Sequence, residues 1–183
     1  MKAIGVVLAG GRSRRMGTDK ALLPVGAGTL LDHMTARLRA LDLARVVICR
    51  DAPGGIADRI PGLGPLGALH SLCGEFPDRD LLVVPVDMPL LTAATLAALL
   101  AGRTARPRHY AGQRLPLQLP LTAAAIHAIA VRATDPAADR SIAGLLRELD
   151  AEILPFTGSN AEFSNVNTPE DWRAIARELA EPD

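Results

Sequence analysis

Apolar positions along this chain come in short runs separated by stretches of helical spacing. Residues 3 to 8 are an apolar run that reads as a buried strand, and residues 29 to 41 carry apolar side chains three and four apart, as one face of a helix does. The alternation repeats. A second run at 45 to 49 precedes a helical pattern at 65 to 76, with Leu66, Leu69, Leu72 and Phe76 on one side, and a third run spans 81 to 86. Thr92 opens a further helix bearing Leu96, Leu99 and Leu100. Strands alternating with helices predict an α/β fold with a mainly parallel sheet and right-handed crossovers.

The second half is less regular. A strand is expected near 108 to 111, and helices near 123 to 131 and 141 to 149. Between them, Pro116 and Pro120 interrupt Leu115, Leu117, Leu119 and Leu121, which argues against a central strand there. The last helix is clearly marked by Thr168 as N-cap, Pro169 at the first helical position, Glu170 and Asp171 in the first turn, and Trp172, Ile175, Ala176 and Leu179 toward the core. The Gly/Pro-rich stretches at 52 to 55 and 61 to 67 read as loops, because composition does not change across them. A single domain covering 1–183 is therefore expected.

Composition narrows the partners. Half of the 183 residues are apolar, enough for one substantial core, while 20 basic and 20 acidic residues balance. A small anionic ligand fits that balance better than a nucleic acid or a membrane surface. The N-terminal apolar run is too short for a signal segment or a spanning helix, so a cytoplasmic location is expected. Cys49 and Cys73 lack C-x-x-C spacing, and the four histidines are scattered.

Positive charge is concentrated in one place, residues 8 to 20 (Leu-Ala-Gly-Gly-Arg-Ser-Arg-Arg-Met-Gly-Thr-Asp-Lys), directly after the first strand. Glycines let backbone N–H groups approach an anion, and arginine forks match phosphate oxygens in pairs. Lys20 stands out in a chain with 18 arginines and only two lysines. A compact ammonium suits contact with one phosphate oxygen. The spacing is neither a Walker A loop nor G-x-G-x-x-G, which favours a different nucleotide-binding class.

In an open α/β sheet, ligands bind beyond the carboxyl ends of the strands. Pro85-Val86-Asp87-Met88-Pro89 leaves the third strand at that edge, so Asp87 is expected to face the polyphosphate. A carboxylate there makes sense with Mg²⁺, which bridges protein carboxylates to phosphate oxygens. The alternative role for Asp87 is a turn or helix-start acid ahead of Thr92. Gly62 to Gly67 supplies a second turn, preceded by Asp58, able to shape a base or ribose pocket. Asn165 and Asn167 precede the final cap, able to orient a ligand or bond local backbone.

Together, Leu-Ala-Gly-Gly-x-Ser-x-Arg-Met-Gly-x-Asp-Lys, Gly64-Pro65-Leu66-x-x-Leu, Val86-Asp87-Met88-Pro89 and Asn165-Val166-Asn167-Thr168-Pro169-Glu170-Asp171 resemble the molybdenum cofactor guanylyltransferases across nearly the whole chain. The resemblance implies a Rossmann-like three-layer α/β/α nucleotidyltransferase fold, with nucleotide bound by the first half and acceptor by the second. It also implies transfer of GMP from GTP to molybdenum-bearing molybdopterin with Mg²⁺, and transient contact with cofactor-delivery proteins or molybdoenzymes. By similarity Leu8, Ala9, Gly10 and Gly11 contact the nucleotide, Arg15 and Lys20 its phosphates, Asp58 the nucleotide, and Asp87 both nucleotide and metal. The acceptor is expected near Pro116, Leu117, Arg140, Asn165 and Asn167. The chain departs from the pattern between Cys49 and Asp58, where the segment is short and Cys49 replaces an expected asparagine. A cytidylyltransferase acting on the same pterin, another small-molecule nucleotidyltransferase and a non-catalytic nucleotide-binding module remain alternatives.

Overall fold

The computed structural model describes residues 1–10, 18–102 and 104–180. Its framework is a six-stranded sheet built from β1 (Ile4–Leu8), β4 (Arg45–Cys49), β5 (Asp80–Pro85), β6 (Arg108–Tyr110), β7 (Leu117–Pro120) and β8 (Glu152–Leu154), in the order β4-β1-β5-β7-β6-β8. β1 pairs in parallel with both β4 and β5, and β6 with β8, while β7 runs antiparallel to its two neighbours. Five strands thus share one direction. A two-stranded hairpin, β2 (Pro24–Val25) and β3 (Gly28–Thr29), leads into α1 (Leu30–Arg39).

The period of two along each strand divides the apolar side chains between two cores. Ile4, Val6 and Leu8 of β1 with Leu81 and Val83 of β5 face α2 (Pro65–Glu75), α4 (Ala123–Thr134) and α5 (Ile142–Glu148). Val7, Leu82 and Val84 face α1 and α3 (Ala93–Leu100), joined by Trp172 from α6 (Pro169–Ala180). This gives the expected three layers, with β1 buried at all five positions. Each such Leu, Ile or Val contributes about 1.5–3 kcal/mol relative to exposure.

The helix starts follow the sequence signals. Thr29 and Asp32 form a reciprocal capping box on α1, Thr92 caps α3 by accepting from the Thr95 N–H, and Thr168 with Asp171 does the same for α6.

One expectation is overturned: residues 117 to 120 form β7, a central strand, despite the prolines. The Leu121 N–H donates to the Arg79 carbonyl at 2.9 Å, so by the antiparallel alternation the nitrogens at 116, 118 and 120 face away from β5. Pro120 lies beyond the two positions at which β7 pairs with β6, and Pro116 precedes the strand. Neither proline removes a donor that the ladder uses.

Candidate functional site

The chain leaves β1 toward β4 on one side, then crosses back through α2 to β5 on the other, which opens a crevice at the carboxyl ends of β1 and β5. The ladders persist one residue past the strands: Ala9 donates to the Cys49 carbonyl and Val86 to the Leu8 carbonyl, each at 3.0 Å. Beyond them lies a cavity of about 350 Å³, walled by Leu8 to Gly10, Asp19, Lys20, Pro65, Asp87, Leu115 and Asn165. Its floor is rigid backbone of the sheet, and its polar groups come from four distant parts of the chain.

Lys20 is the centre of the polar network. Asp19 caps a short 3-10 turn, Lys20–Leu22, by accepting from the Ala21 N–H at 3.0 Å, and its other oxygen meets the Arg50 guanidinium at 2.6 Å. That anchor fixes the base of Lys20. Its Nζ donates to Asp87 Oδ2 at 3.2 Å and to Asn167 Oδ1 at 2.8 Å. Asp87 is held from behind, because its backbone carbonyl accepts from the Val166 N–H at 2.8 Å. Asn167 is held in turn by its own N–H, which donates to Asp171 Oδ2 at 2.9 Å. Hydrogen bonds from the Asn167 and Thr168 backbone lower the Asp171 carboxyl below its usual range, with the Lys20 charge adding to them.

Asp87 is no helix cap: Thr92 caps α3 itself, and its N–H donates to the carboxylate of the buried Glu162 at 2.9 Å. The Asp87 side chain is 23% exposed, with only Oδ2 in the Lys20 contact. Among the described residues no three His, Cys, Asp or Glu side chains gather into a ready metal cage. Mg²⁺ needs none, since it is commonly held by one or two carboxylates with phosphate oxygens and water completing the shell. Asp87 supplies one such carboxylate, whereas both oxygens of Asp19 on the same wall are engaged by the Ala21 N–H and Arg50.

The other expected residues divide. Leu8, Ala9 and Gly10 lie on the cavity wall, but the Leu8 carbonyl and Ala9 N–H are engaged in the sheet, leaving the Ala9 carbonyl and the Gly10 N–H and carbonyl without a backbone partner among the described residues. Gly11 and Arg15 lie outside the described residues. Asp58 is not on the wall. It sits before α2, close enough to Gly67 that a β-carbon there would come within 3.0 Å of Oδ2, and burial, with the Asp51 charge, raises its carboxyl pKa. Asn165 lines the cavity and also donates to the Phe163 carbonyl at 3.3 Å.

Pro116 follows Leu115 through a cis bond, next to the wall, whereas Leu117 is fully buried in the core. Arg140 lies in the α4–α5 loop with Nη2 at 3.5 Å from the Asp135 carbonyl, away from the wall residues. Cys49 turns its thiol into the core, and burial, with the Asp58 charge, pushes it up to about 12. The sequence alone missed the Asp19–Arg50 pair, although an acid just before the lysine and an arginine just after the second strand were visible.

Residues 5–153 match the MobA-like NTP transferase domain. The chain is 46% identical over 178 residues to the molybdenum cofactor guanylyltransferase of Xanthomonas euvesicatoria pv. vesicatoria, covering 95% of this chain and 94% of that one. It is 34% identical to a probable molybdenum cofactor guanylyltransferase of Mycolicibacterium paratuberculosis, over 98% of both. Molybdopterin-guanine dinucleotide biosynthesis protein A from Archaeoglobus fulgidus shares the fold with a TM-score of 0.76 at 20% identity, over 96% of this chain and 97% of that one. With this fold, this crevice and similarity along nearly its whole length, the chain belongs to the molybdenum cofactor guanylyltransferase family of MobA-like NTP transferases.

Proposed function

We propose that this chain transfers GMP from GTP to molybdopterin bearing molybdenum, giving the guanine dinucleotide cofactor and pyrophosphate. The observation that carries the reading is the meeting of the Lys20 ammonium and the Asp87 carboxylate over glycine backbone at the shared edge of β1 and β5. A terminal phosphate oxygen of the pterin forms a bond to the α-phosphorus of GTP, and the bond from that phosphorus to the β-phosphate bridging oxygen breaks. The nucleophile is already ionised at neutral pH, so no general base is needed. Catalysis is positioning and charge stabilisation.

Mg²⁺ held by Asp87 would supply neutralisation of the phosphate charge. Lys20 binds a phosphate oxygen as charge shifts toward the leaving pyrophosphate, and Arg15 is assigned to the same task. Gly10 lets the backbone approach the nucleotide closely. The Ala9 carbonyl and Gly10 N–H offer one acceptor and one donor to the base, a set that guanine's N1/N2 donors and O6 acceptor can complete. Base discrimination then rests on backbone groups that a bound base would cover and a mismatched base would leave unpaired. The acceptor enters along Leu115, Pro116 and Asn165, with Asp58 supporting the nucleotide side through the first turn of α2.

The test is a nucleotide panel of GTP, CTP and ATP with purified protein, molybdopterin, molybdate and Mg²⁺, read as pyrophosphate release and dinucleotide formation. GTP should exceed the other two at least tenfold in kcat/KM. Preference for CTP would reassign the chain to cytidylyl transfer, and no turnover with any nucleotide would leave a binding module.

A further inference from the structure

An ammonium has three protons to donate, and two of those on Lys20 are directed at groups of different character. Asp87 Oδ2, at 3.2 Å, neutralises the charge, whereas Asn167 Oδ1, at 2.8 Å, is a neutral amide oxygen that fixes position and leaves the charge intact. Asp87 Oδ2 is therefore engaged, before any nucleotide arrives, by the cation that the proposed reaction needs on the phosphates. A divalent ion approaching Asp87 meets a like charge 3.2 Å from the oxygen it seeks.

We infer that Lys20 holds Asp87 in the nucleotide-free protein and yields it to the metal, and that Asn167 is the positioning residue that keeps Lys20 in place through this exchange. The inference rests on the proposed metal role of Asp87. Metal entry and phosphate grip would then be one event: with Asp87 given over to a metal, the Lys20 N–H that it had accepted would be free to donate to a phosphate oxygen. Asn167 suits the part because it is itself rigid. Its N–H is tied to Asp171 at the start of α6, and Val166, one residue earlier, is bonded to the Asp87 backbone. The amide and the carboxylate that share Lys20 are thus parts of one braced unit. This assigns Asn167 to the lysine, where the sequence pattern assigned it to the acceptor.

The test combines metal binding without nucleotide and a double-mutant cycle. Mn²⁺ is titrated alone, by calorimetry or by the loss of its free-ion paramagnetic resonance signal, into wild type, Lys20→Met and Asp87→Asn. Lys20→Met should bind Mn²⁺ about five- to tenfold more tightly than wild type, and Asp87→Asn should lose the site. In turnover with saturating GTP and metal, Asn167→Ala should lower kcat about tenfold with KM for the pterin unchanged, the loss of one hydrogen bond to a charged group. Adding Asn167→Ala to Lys20→Met should lower kcat no further, because a residue acting through another is silent once that other is gone.

Unchanged Mn²⁺ affinity in Lys20→Met, with binding lost in Asp87→Asn, overturns the shared-carboxylate inference and leaves the metal role standing. Wild-type Mn²⁺ binding by Asp87→Asn overturns the metal role itself. Additive kcat losses in the double variant, or a raised pterin KM in Asn167→Ala, return Asn167 to direct contact with the acceptor and overturn its positioning role.

Discussion

Among the described residues, a cavity of about 350 Å³ at the ends of β1 and β5 can be set beside one of about 330 Å³ between α5 and strands β6 and β8. Both contain charged side chains, and they differ in where those charges find partners. In the first, Lys20 reaches Asp87 and Asn167, 67 and 147 residues away in sequence. In the second, Arg147 meets Asp139 eight residues back, His109 Nδ1 donates to the carbonyl of its neighbour Tyr110, and the longer-range pair, Asp150 with Arg106 at 3.0 Å, lies on the exposed rim. Holding long side chains from remote segments in one geometry costs conformational entropy, whereas local pairs follow from the turn that contains them. One partly buried ammonium joined to two remote segments, more than volume, sets the candidate site apart from a notch between a short helix and an edge strand.

The largest expected effect is at the convergent cavity. Asp87→Asn should lower kcat/KM on the order of 100-fold or more while Tm stays within a few degrees of wild type, since the amide matches the carboxylate in size but ligates Mg²⁺ poorly and carries no charge to pair with Lys20. A fall in Tm large enough to account for the lost activity would make Asp87 a folding residue and remove the contrast.

A smaller effect probes what supports that cavity. His33 donates from Nε2 to the Pro89 carbonyl at 2.9 Å, two residues past Asp87, and burial, helped by the Arg37 charge and opposed by this bond, keeps its pKa below 6.5. On acidification the unfolded chain takes up the proton first, so the stability carried by the neutral ring is present above about pH 6.5 and is lost as pH falls toward the lower folded value. The Tm advantage of wild type over His33→Gln should therefore shrink between about pH 7.5 and 5.5. A constant gap would show that the ring titrates alike in both states.

The smallest effect is expected at the second cavity, where replacing Arg114 and Arg147 together by alanine should change kcat/KM for GTP less than twofold, as surface substitutions do. A tenfold loss would make that notch part of the acceptor path.

The same contrast explains what could be read from the sequence. The runs at 3 to 8 and 81 to 86 were legible because strands buried on both faces are continuously apolar, and the run at 45 to 49, on the sheet edge, because its apolar residues still pack on β1. β7 was hidden because a proline's harm depends on which way its missing N–H would point, and that parity is set by neighbouring strands. Lys20 was conspicuous against eighteen arginines, and Asp87 by its place after an apolar strand. Asn167 as a partner of Lys20 could not be read, because nothing in either local pattern records a contact across 147 residues. Asp58 and Leu117 carried the right motifs, yet their side chains lie against α2 and inside the core.

The depth of Cys49 has a practical side. With its thiol pushed up to about 12, and that of the partly buried Cys73 to about 11, the thiolate fraction of both is minute near neutral pH. Alkylating reagents and mild oxidants therefore find little to attack in the native chain. A cysteine introduced at an exposed position, such as Leu22 beside the Lys20 turn, would carry a fluorophore almost alone, and the protein needs no thiol-free background to report nucleotide arrival by fluorescence.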